Sequence, residues 1–293
     1  MAEAFERAQI LVEALPYIRE FADKAMVVKL GGHAMVDAGL ESRFAEDIVL
    51  LKAVGIHPVV VHGGGPEIGL LLDQLGVECR FVQGMRVTDD KTLDVVEMVL
   101  GGTVNGRIVT RINTAGGTAI GLSGRDGSLL KARPYRLPVT KEDRTPELID
   151  LGHVGEVEDV NAELILHFCS RRMIPVIAPI GVDASGQAYN INADLVAGAV
   201  AAKLQAEKLI LLTDVAGVMD QDGNLIGHLT PESAQDKMKN GVITGGMIPK
   251  VNCALEAMAA GVKKVHIIDG RQPHAVLLEI FTRAGVGTEI VSG

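Results

Sequence analysis

The sequence predicts an α/β fold with an open, mainly parallel central sheet flanked by helices on both faces. Three observations support this prediction. Short β-branched runs alternate with helical patterns along the chain, as in crossover connections between parallel strands. The strand candidates are apolar at consecutive positions, which is typical of strands buried on both faces. A chain of 293 residues with 47% hydrophobic and 3% aromatic content must build its core from Val, Ile, Leu and Ala.

Hydrophobic periodicity and turn residues give the order of the elements. Helices are predicted over residues 2–23, 40–54, 66–75, 92–114, 161–171, 195–204, 222–240 (after a turn), 245–260 and 275–282, and strands over residues 25–30, 58–61, 119–122, 174–180, 208–213, 264–268 and 287–291. Pro16 is expected to kink or divide the first helix, and Gly101-Gly102 to interrupt the helix over 92–114. The charged segment 128–158 is expected to form peripheral hairpins, and a boundary between two lobes is expected near residue 178.

Composition excludes several classes of protein. A net charge of −9 argues against a nucleic-acid partner, because a phosphate backbone requires a basic surface. Cys79, Cys169 and Cys253 lack the spacing of a disulfide framework or a zinc site, so buried thiols are expected. The acidic, amphipathic N-terminus differs from a signal peptide, and no run reaches the roughly 18 apolar residues of a membrane helix. We therefore expect a soluble, cytoplasmic protein with no membrane contact.

Residues 57–69, HPVVVHGGGPEIG, carry the strongest local signal. An apolar strand ends at His62, three glycines follow, and Pro66 opens a helix. The glycines leave backbone N–H groups uncovered at a helix N-terminus, where an anion binds. A tight turn needed only for packing is the alternative, and three successive glycines favour the anion site. The pattern is neither a P-loop nor a dinucleotide fingerprint.

Two lysines lie beside further glycine pairs. Lys29 falls inside an apolar strand that ends at Gly31 and Gly32, so it either points out from an edge strand or meets an anion at the strand's carboxyl end. Lys250 lies in the first turn of the helix after Gly245-Gly246. A cation there opposes the helix dipole unless an anionic ligand is bound.

Polar residues alternate at Asn190, Asn192 and Asp194, where a strand leads into a helix. One of these residues is expected to cap the helix, but capping does not require all three. Arg86, in a Gly-flanked turn, taken alone is expected to pair with a surface acid. Two lysines, glycine turns and a carboxylate together nevertheless suit phosphoryl transfer without a P-loop, since that chemistry depends on positioning and charge neutralisation.

Seven motifs in order resemble the amino-acid kinase family, from about residue 25 to the C-terminus. They are K-L-G-G at 29–32, V-H-G-G-G-P at 61–66, G-x-R-V-T at 84–88, G-L-S-G-x-D-G at 121–127, N-x-N-A-D at 190–194, L-L-T-D-V-x-G-V at 211–218 and G-G-M-I-P-K at 245–250. The set is most similar to the branch that phosphorylates the side-chain carboxylate of N-acetyl-L-glutamate with ATP, a step of arginine biosynthesis.

The resemblance implies a three-layer sandwich with two lobes. Residues 1–24 would be a helical extension for oligomerisation and regulation, residues 25–178 a lobe that binds the amino acid, and residues 179–293 a lobe that binds ATP. The cofactors implied are ATP and Mg²⁺, the metal being held mainly by the nucleotide phosphates rather than by protein ligands.

The resemblance also implies a role for each matching residue. Lys29 and Lys250 would stabilise the transferring phosphoryl group, and Asp194 would orient both. Gly64, Gly65, Arg86 and Asn190 would bind the substrate, with Arg86 on its α-carboxylate. The nucleotide would be bound by Gly31, Gly32, Thr213, Asp214, Gly217, Gly245 and Gly246.

The extension and the C-terminal segment resemble those of arginine-sensitive members. L-arginine would be an inhibitor, bound near His274, Glu279, Gly285 and Gly287, and the chain would form a homo-oligomer, a hexamer built as a trimer of dimers. The alternative is that the apolar face of the extension, with Leu11, Leu15, Ile18 and Phe21, only covers the core of its own subunit.

Two other functions stay open at this point. The nearer one is another kinase of the family, acting on aspartate, glutamate, carbamate, UMP or a carrier-linked aminoadipate; Arg86 and Asn190 favour acetylglutamate instead. The other is a non-catalytic regulatory subunit that binds ATP or arginine. The joint presence of Lys29, Asp194 and Lys250 argues against this second possibility.

Overall fold

A computed structural model describes residues 2–35, 37–140, 146–282 and 285–292. The helices are α1 (Ala2–Phe21), α2 (Ala38–Ala53), α3 (Gly65–Gln74), α4 (Asp90–Glu97), α5 (Asn105–Thr114), α6 (Ala162–Ser170), α7 (Ala193–Lys203), α8 (Pro231–Lys239), α9 (Met247–Ala259) and α10 (Ala275–Phe281). The strands are β1 (Ala25–Leu30), β2 (His57–His62), β3 (Phe81–Val82), β4 (Met85–Arg86), β5 (Ala119–Ser123), β6 (Leu130–Thr140), β7 (Pro146–Val160), β8 (Ile174–Ala178), β9 (Ile180–Val182), β10 (Ala188–Asn190), β11 (Lys208–Thr213), β12 (His228–Leu229), β13 (Lys264–Asp269) and β14 (Thr288–Val291). Short 3₁₀ turns span Gly32–Met35 and Asp126–Ser128, and a π-helix spans Met98–Val104.

The central sheet has eight strands in the order β12-β14-β13-β11-β1-β2-β8-β5. All neighbours are parallel except β13 and β14. Along β1, Val28 packs into the core beneath α2, α5 and α10, and Val27 packs into the core beneath α6, α7 and α9. The consecutive apolar residues of the strands therefore serve two faces. The predicted α/β fold, with a mainly parallel sheet between helical layers, is confirmed.

The segment predicted to form hairpins does contain one, and this hairpin is part of a second structural unit. Strands β6 and β7 pair as a long antiparallel hairpin, and β9 and β10 close it into a small barrel. The prediction of a single strand over 174–180 is wrong, because β8 lies in the central sheet and β9 in the barrel. Pro175 lies within β8 and Pro179 between the two strands. The barrel therefore adjoins the side of the sheet that contains β2, β8 and β5.

Two helices differ from their predicted form. Helix α1 runs through Pro16 without being divided, and the interruption predicted within 92–114 is not a break but a π-helix that joins α4 to α5. Its glycine pair, Gly101-Gly102, lies in the π-helix, where a wider turn changes the faces that follow. Among the described residues, no helix is both long and apolar enough to cross a membrane.

Among the described side chains of helix α1, those covered by its own chain lie in its last turns. Phe21 is 4% exposed in the core and Tyr17 contacts Phe281 edge-on, with 6.4 Å between ring centroids. Leu11, by contrast, is 70% exposed and Leu15 40%. The division of the chain into two lobes stays a prediction.

Candidate active site

A buried carboxylate between two ammonium groups lies at the centre of the candidate site. Lys29 Nζ lies 3.0 Å from Asp194 Oδ1, and Lys250 Nζ donates to Asp194 Oδ2 at 2.6 Å. The side chain of Asp194 is 9% exposed, that of Lys29 10% and that of Lys250 19%. Three elements far apart in sequence, β1, α7 and α9, thus deliver one lysine–aspartate cluster.

Charge decides the protonation state of Asp194. Burial by itself opposes ionisation of this carboxyl, but the positive charges of Lys29 and Lys250 and the hydrogen bonds they donate lower its pKa to about 2. Asp194 is therefore a carboxylate at neutral pH. It balances one of the two lysine charges, which leaves the cluster with net charge +1, and an anion is attracted to it.

Close packing of α7 on α9 brings Lys250 to Asp194. A side chain at Gly198 of α7 would meet the thiol of Cys253 on α9, so only glycine permits this approach. The Cys253 thiol donates to the backbone carbonyl of Asp194 at 2.9 Å. Burial, and then the charge of Asp194, raise the pKa of Cys253 to about 12, so this thiol keeps its proton and its hydrogen bond. The buried cysteine predicted from composition thus has a definite role.

Helix capping in this region falls to Asn192 rather than to Asp194. The side chain of Asn192 accepts from the N–H of Asp194 at 2.8 Å and begins α7. The Asp194 carboxylate is therefore left for the lysines. Of the alternatives that the sequence left open, capping explains Asn192 alone.

The triple-glycine turn, residues 63–65, joins β2 to α3 beside the cluster. The N–H of Gly63 donates to Leu30 O at 2.9 Å, which ties the turn to the end of β1. A side chain at Gly64 would collide with Leu100 of the π-helix, whereas the space beside Gly65 is open. Within the described residues, the N–H groups of Gly64 and Gly65 donate to no protein acceptor. They are available to an anion at the N-terminus of α3.

Gly31 and Gly32 make room at the end of β1. A side chain at Gly31 would occupy the position of the Lys29 ammonium. Gly32 has φ = +66°, a conformation that favours glycine, and a side chain there would overlap the carboxylate of Asp214. Both glycines therefore keep the space around Lys29 and Asp214 open.

Arg86 and Asn190 face the same cavity and are linked through Thr88. The guanidinium of Arg86 donates to Gly65 O at 2.9 Å and to the thiol of Cys79, and it lies 4.8 Å from the ring centroid of Phe81. The Thr88 hydroxyl donates to Arg86 O at 3.0 Å and accepts from Asn190 at 3.2 Å. Within the part of the chain that the structure describes, Arg86 has no acidic partner, and its hydrogen bonds go to the glycine turn and to Cys79.

A cavity of about 240 Å³ brings most of the predicted substrate residues together. Its lining includes Lys29, Gly64, Gly65, Arg86, Asn190 and Asp194. Sequence reasoning missed Leu100 of the π-helix, and Tyr135, Val154 and Gly155 of the barrel, which also line it. No local pattern pointed to these residues: Leu100 lies in the π-helix, and the closing of the barrel brings the other three to the cavity.

The predicted nucleotide residues are not among those that line this cavity. Thr213 is buried at the end of β11, and its carbonyl accepts from Gly270 at 2.8 Å. Gly245, with φ = +56°, and Gly246 precede α9, which carries Lys250. Gly217, with φ = +153°, packs tightly against Thr288 of β14. Gly245 and Gly246 thus lead into the helix that carries Lys250, Gly217 shapes the loop after β11, and nucleotide binding by these residues stays a prediction.

A second pocket, about 290 Å³, lies between α1, α10 and the β13–β14 end of the sheet. Glu279, Gly285 and Gly287, predicted for arginine, line it together with Tyr17, Glu20 and Lys208. His274 lies elsewhere: its Nδ1 is 2.6 Å from Asp47 of α2. The structure thus brings three of the four predicted residues into one pocket.

Comparison with known proteins gives the family. A family model described as the amino acid kinase family matches residues 24–269. The acetylglutamate kinase of Solidesulfovibrio magneticus is 56% identical over 97% of this chain and 96% of its own length. That of Stutzerimonas stutzeri is 58% identical over 99% of this chain and 97% of its own. The chain belongs to the amino acid kinase family, in its acetylglutamate kinase branch. The resemblance drawn from the seven motifs is confirmed.

Solved structures agree with this family assignment in fold. N-acetylglutamate synthase from Neisseria gonorrhoeae, complexed with coenzyme A and N-acetyl-glutamate, has a TM-score of 0.84 at 28% identity. Its complex with coenzyme A and L-arginine has a TM-score of 0.79 at 27% identity. These matches cover 98% of this chain but only 63% and 65% of the synthase chains. The kinase family fold therefore corresponds to one part of a longer enzyme.

Proposed function

We propose that this protein transfers the γ-phosphoryl group of ATP to the side-chain carboxylate of N-acetyl-L-glutamate, giving N-acetyl-L-glutamyl 5-phosphate for arginine biosynthesis. One observation carries the proposal: the lysine–aspartate cluster adjoins uncovered glycine N–H groups in a cavity that also holds Arg86 and Asn190. Near-full-length identity of 56% and 58% to acetylglutamate kinases supports it.

The reaction requires no general base. The side-chain carboxylate of the substrate is ionised at neutral pH. One of its oxygens attacks the γ-phosphorus, and the bond from that phosphorus to the β,γ-bridging oxygen breaks, so that ADP leaves with the electron pair. The barrier comes from bringing an anion to a triphosphate. Lys29 and Lys250 offset the charge on the transferring oxygens, and Asp194 keeps both ammonium groups in place.

The remaining site residues hold the two substrates. The N–H groups of Gly64 and Gly65 donate to the phosphoryl group and the attacking carboxylate. Arg86 forms a two-pronged contact with the α-carboxylate, for which guanidinium is suited, and Asn190 binds the acetylamino portion. Gly31, Gly32, Thr213, Asp214, Gly217, Gly245 and Gly246 surround the nucleotide.

Mg²⁺ would arrive with the nucleotide in this proposal. In the described ranges, no three His, Cys, Asp or Glu side chains lie together to hold a metal ion. The one carboxylate in the cluster, Asp194, is occupied by two lysines. We therefore assign the metal to the phosphate oxygens of ATP, and no step of this chain's residues depends on it.

We also place the activity in the cytoplasm, where ATP is available and where the three unbridged cysteines are stable.

The proposal is tested by trapping the acyl phosphate with hydroxylamine. The protein is incubated with ATP and Mg²⁺ and with acetylglutamate, acetylaspartate, glutamate, aspartate, carbamate, UMP or an N-acylated aminoadipate, and the hydroxamate and ADP are measured. We expect acetylglutamate to give both products at the highest kcat/KM. ADP formation without hydroxamate, a preference for another acceptor, or no turnover at all would contradict the proposal.

Removing either lysine should mainly lower kcat. We expect Lys29→Ala and Lys250→Ala each to reduce kcat about 100- to 1,000-fold, because the loss of one preorganised charge donor costs about 3–4 kcal/mol. Lys203→Ala is the control, since Lys203 has a similar 2.7 Å ion pair with Asp159 on the surface. A lysine whose loss leaves turnover near that of the unmodified protein has no part in the mechanism.

Arg86 should determine the affinity for acetylglutamate. Arg86→Ala is expected to raise the KM for acetylglutamate about 10- to 100-fold, the value of a charge-assisted hydrogen bond, and to leave the KM for ATP nearly unchanged. Arg86→Lys should recover little of the loss, because lysine lacks the planar fork. Arg133→Ala and Arg133→Lys, at an exposed ion pair with Glu156, are the matched controls. Equal changes in both KM values would show that Arg86 supports the fold instead.

We further propose that L-arginine inhibits the enzyme from the pocket between α1 and α10. An amino acid with a guanidinium needs both acidic and basic partners, and this pocket offers Glu20 and Glu279 beside Lys208 and Lys264. Burial opposes ionisation of Glu279, but hydrogen bonds from His266 and Val286 lower its pKa, so it is an anion. A synthase of the same fold at 27% identity has been solved with L-arginine.

The exposed apolar face of α1 supports the oligomer in this proposal. Phe5, Ile10, Leu11 and Val12 are 64–70% exposed in the single chain, and a second copy of α1 would cover them as dimers join into a hexamer.

Removing the exposed part of α1 should separate activity from regulation. Deleting residues 2–12 leaves Phe21 in the core, so we expect a stable dimer with unchanged kcat and weakened arginine inhibition. A coupling of about 1–3 kcal/mol between the sites would be lost in part. Glu20→Gln, on the pocket wall, should weaken inhibition without changing the light-scattering mass. A truncated protein that stays hexameric, or a full-length protein that arginine never inhibits, would refute this regulatory proposal.

A further inference from the structure

His62 lies beneath the triple-glycine turn and makes two hydrogen bonds there. It is the last residue of β2 and is 0% exposed. Its Nδ1 is 2.7 Å from the carbonyl oxygen of Gly63, and its Nε2 is 3.1 Å from the side-chain nitrogen of Asn105. The first contact is to the turn itself, so the ring touches the backbone that borders the candidate active site.

Two carbonyl groups fix which ring nitrogen carries the proton. Asn105 also donates to Val176 O at 2.9 Å, which settles the orientation of its amide, because a carbonyl only accepts. The second hydrogen of the same amide nitrogen therefore points to His62, whose Nε2 must accept it. The proton of the ring then lies on Nδ1 and is donated to Gly63 O.

The surroundings of His62 keep the ring neutral. Burial, partly opposed by the hydrogen bond to Gly63 and by the charge of Glu67 on α3, lowers the pKa of His62 to about 4. The positive charge of Arg107 on α5 acts in the same direction as burial. A proton on Nε2 would also face the N–H of Asn105. At neutral pH the single tautomer described above is thus the only one that satisfies both contacts.

The hydrogen bond to Gly63 O sets the direction of the next N–H group. The peptide bond between Gly63 and Gly64 is trans and planar, so its carbonyl and its N–H point in opposite directions. When His62 holds the carbonyl of Gly63 below the turn, the N–H of Gly64 points away from the ring. Gly64 lines the cavity that also contains Lys29 and Asp194.

We infer that His62 is a positioning residue for phosphoryl transfer: held by Asn105, it orients the Gly63–Gly64 peptide so that Gly64 presents its N–H to the transferring group. The inference rests on the proposed phosphoryl transfer, but it assigns a role to a side chain that touches neither substrate. His62 and Asn105 together link β2, α5 and β8 to the turn.

Two amide substitutions separate the two hydrogen bonds of His62. The side-chain nitrogen of Asn lies near the position of Nδ1, so His62→Asn keeps the donor to Gly63 O. The end of a Gln side chain reaches the position of Nε2, so His62→Gln keeps the contact with Asn105 but loses the donor to Gly63. We expect His62→Gln to lower kcat about 10- to 100-fold, with KM values changed less than threefold, because misplacement of a donor costs that much. His62→Asn should retain kcat within about threefold of the unmodified protein, since it keeps the donor on which positioning depends.

Stability and spectroscopy separate positioning from a structural role. Ile112→Val, in a buried part of α5 away from the cavity, serves as a control that lowers the melting temperature without changing kcat. The ¹⁵N shifts of the His62 ring should report the neutral Nδ1–H tautomer at pH 7, and AMP-PNP with Mg²⁺ should shift the Gly64 amide signal less in His62→Gln. All kinetic ratios are taken on whichever acid the unmodified protein phosphorylates, so a different acceptor would overturn the proposed substrate but leave this test intact.

Three results would overturn the inference. The first is His62→Gln with full kcat, and the second is His62→Asn with a greater loss of kcat than His62→Gln. The third is an Nε2–H tautomer in the ring spectrum, which decides the matter even if the unmodified protein has no kinase activity.

Discussion

The structure depends on one electrostatic requirement: the carboxylate of Asp194, removed from water, must remain between two ammonium groups. A buried carboxylate with no cationic partner is strongly destabilising, and here β1 and α9 each bring one lysine to the aspartate of α7. Gly198 and Cys253 allow the two helices to approach closely enough. The central position of β1 in the sheet then places Lys29 beside the helices of one face and the glycine turn of its neighbour β2.

The triple-glycine turn is held by hydrogen bonds of its own backbone groups rather than by ion pairs. Gly63 donates to Leu30 O, its carbonyl accepts from His62, and the carbonyl of Gly65 accepts from Arg86. Leu100 closes the turn from the π-helix side. Each contact uses up a group that would otherwise compete for the free N–H groups. The turn is therefore preorganised for an anion before any ligand is bound, which is the condition for effective electrostatic stabilisation.

Local patterns were sufficient to predict every strand of the central sheet except β12, a two-residue strand that falls in the segment predicted as a turn and a helix. Successive glycines break a regular hydrophobic pattern at residues 63–65 and beside Lys29 and Lys250. Such a break can be recognised within a single segment of the sequence. The barrel residues Tyr135 and Val154 could not be found in this way, because they reach the cavity only when β9 and β10 close the barrel.

The sequence also could not show which side chains contact each other in the folded chain. His62 was noted only as the residue before the glycines, because its partner Asn105 lies 43 positions away in a helix whose register depends on a π-turn. Similarly, His274 falls among residues predicted to bind arginine, yet its side chain contacts Asp47 of α2. Helix α10 begins directly after His274. Residues that are close in sequence on either side of such a helix start need not line the same pocket.

The pairing of β1 with β11 has a consequence for biosynthesis. Val28 pairs with Val60 of β2 on one side and with Ile210 of β11 on the other. The ribosome therefore makes β2 soon after β1, but it makes β11 only when most of the chain has been translated. Until β11 leaves the ribosome, an apolar strand keeps one open edge, and such edges promote aggregation. The strand that carries Lys29 is therefore the one that a nascent chain most needs to have shielded, and a truncated N-terminal half would lack its second neighbour altogether.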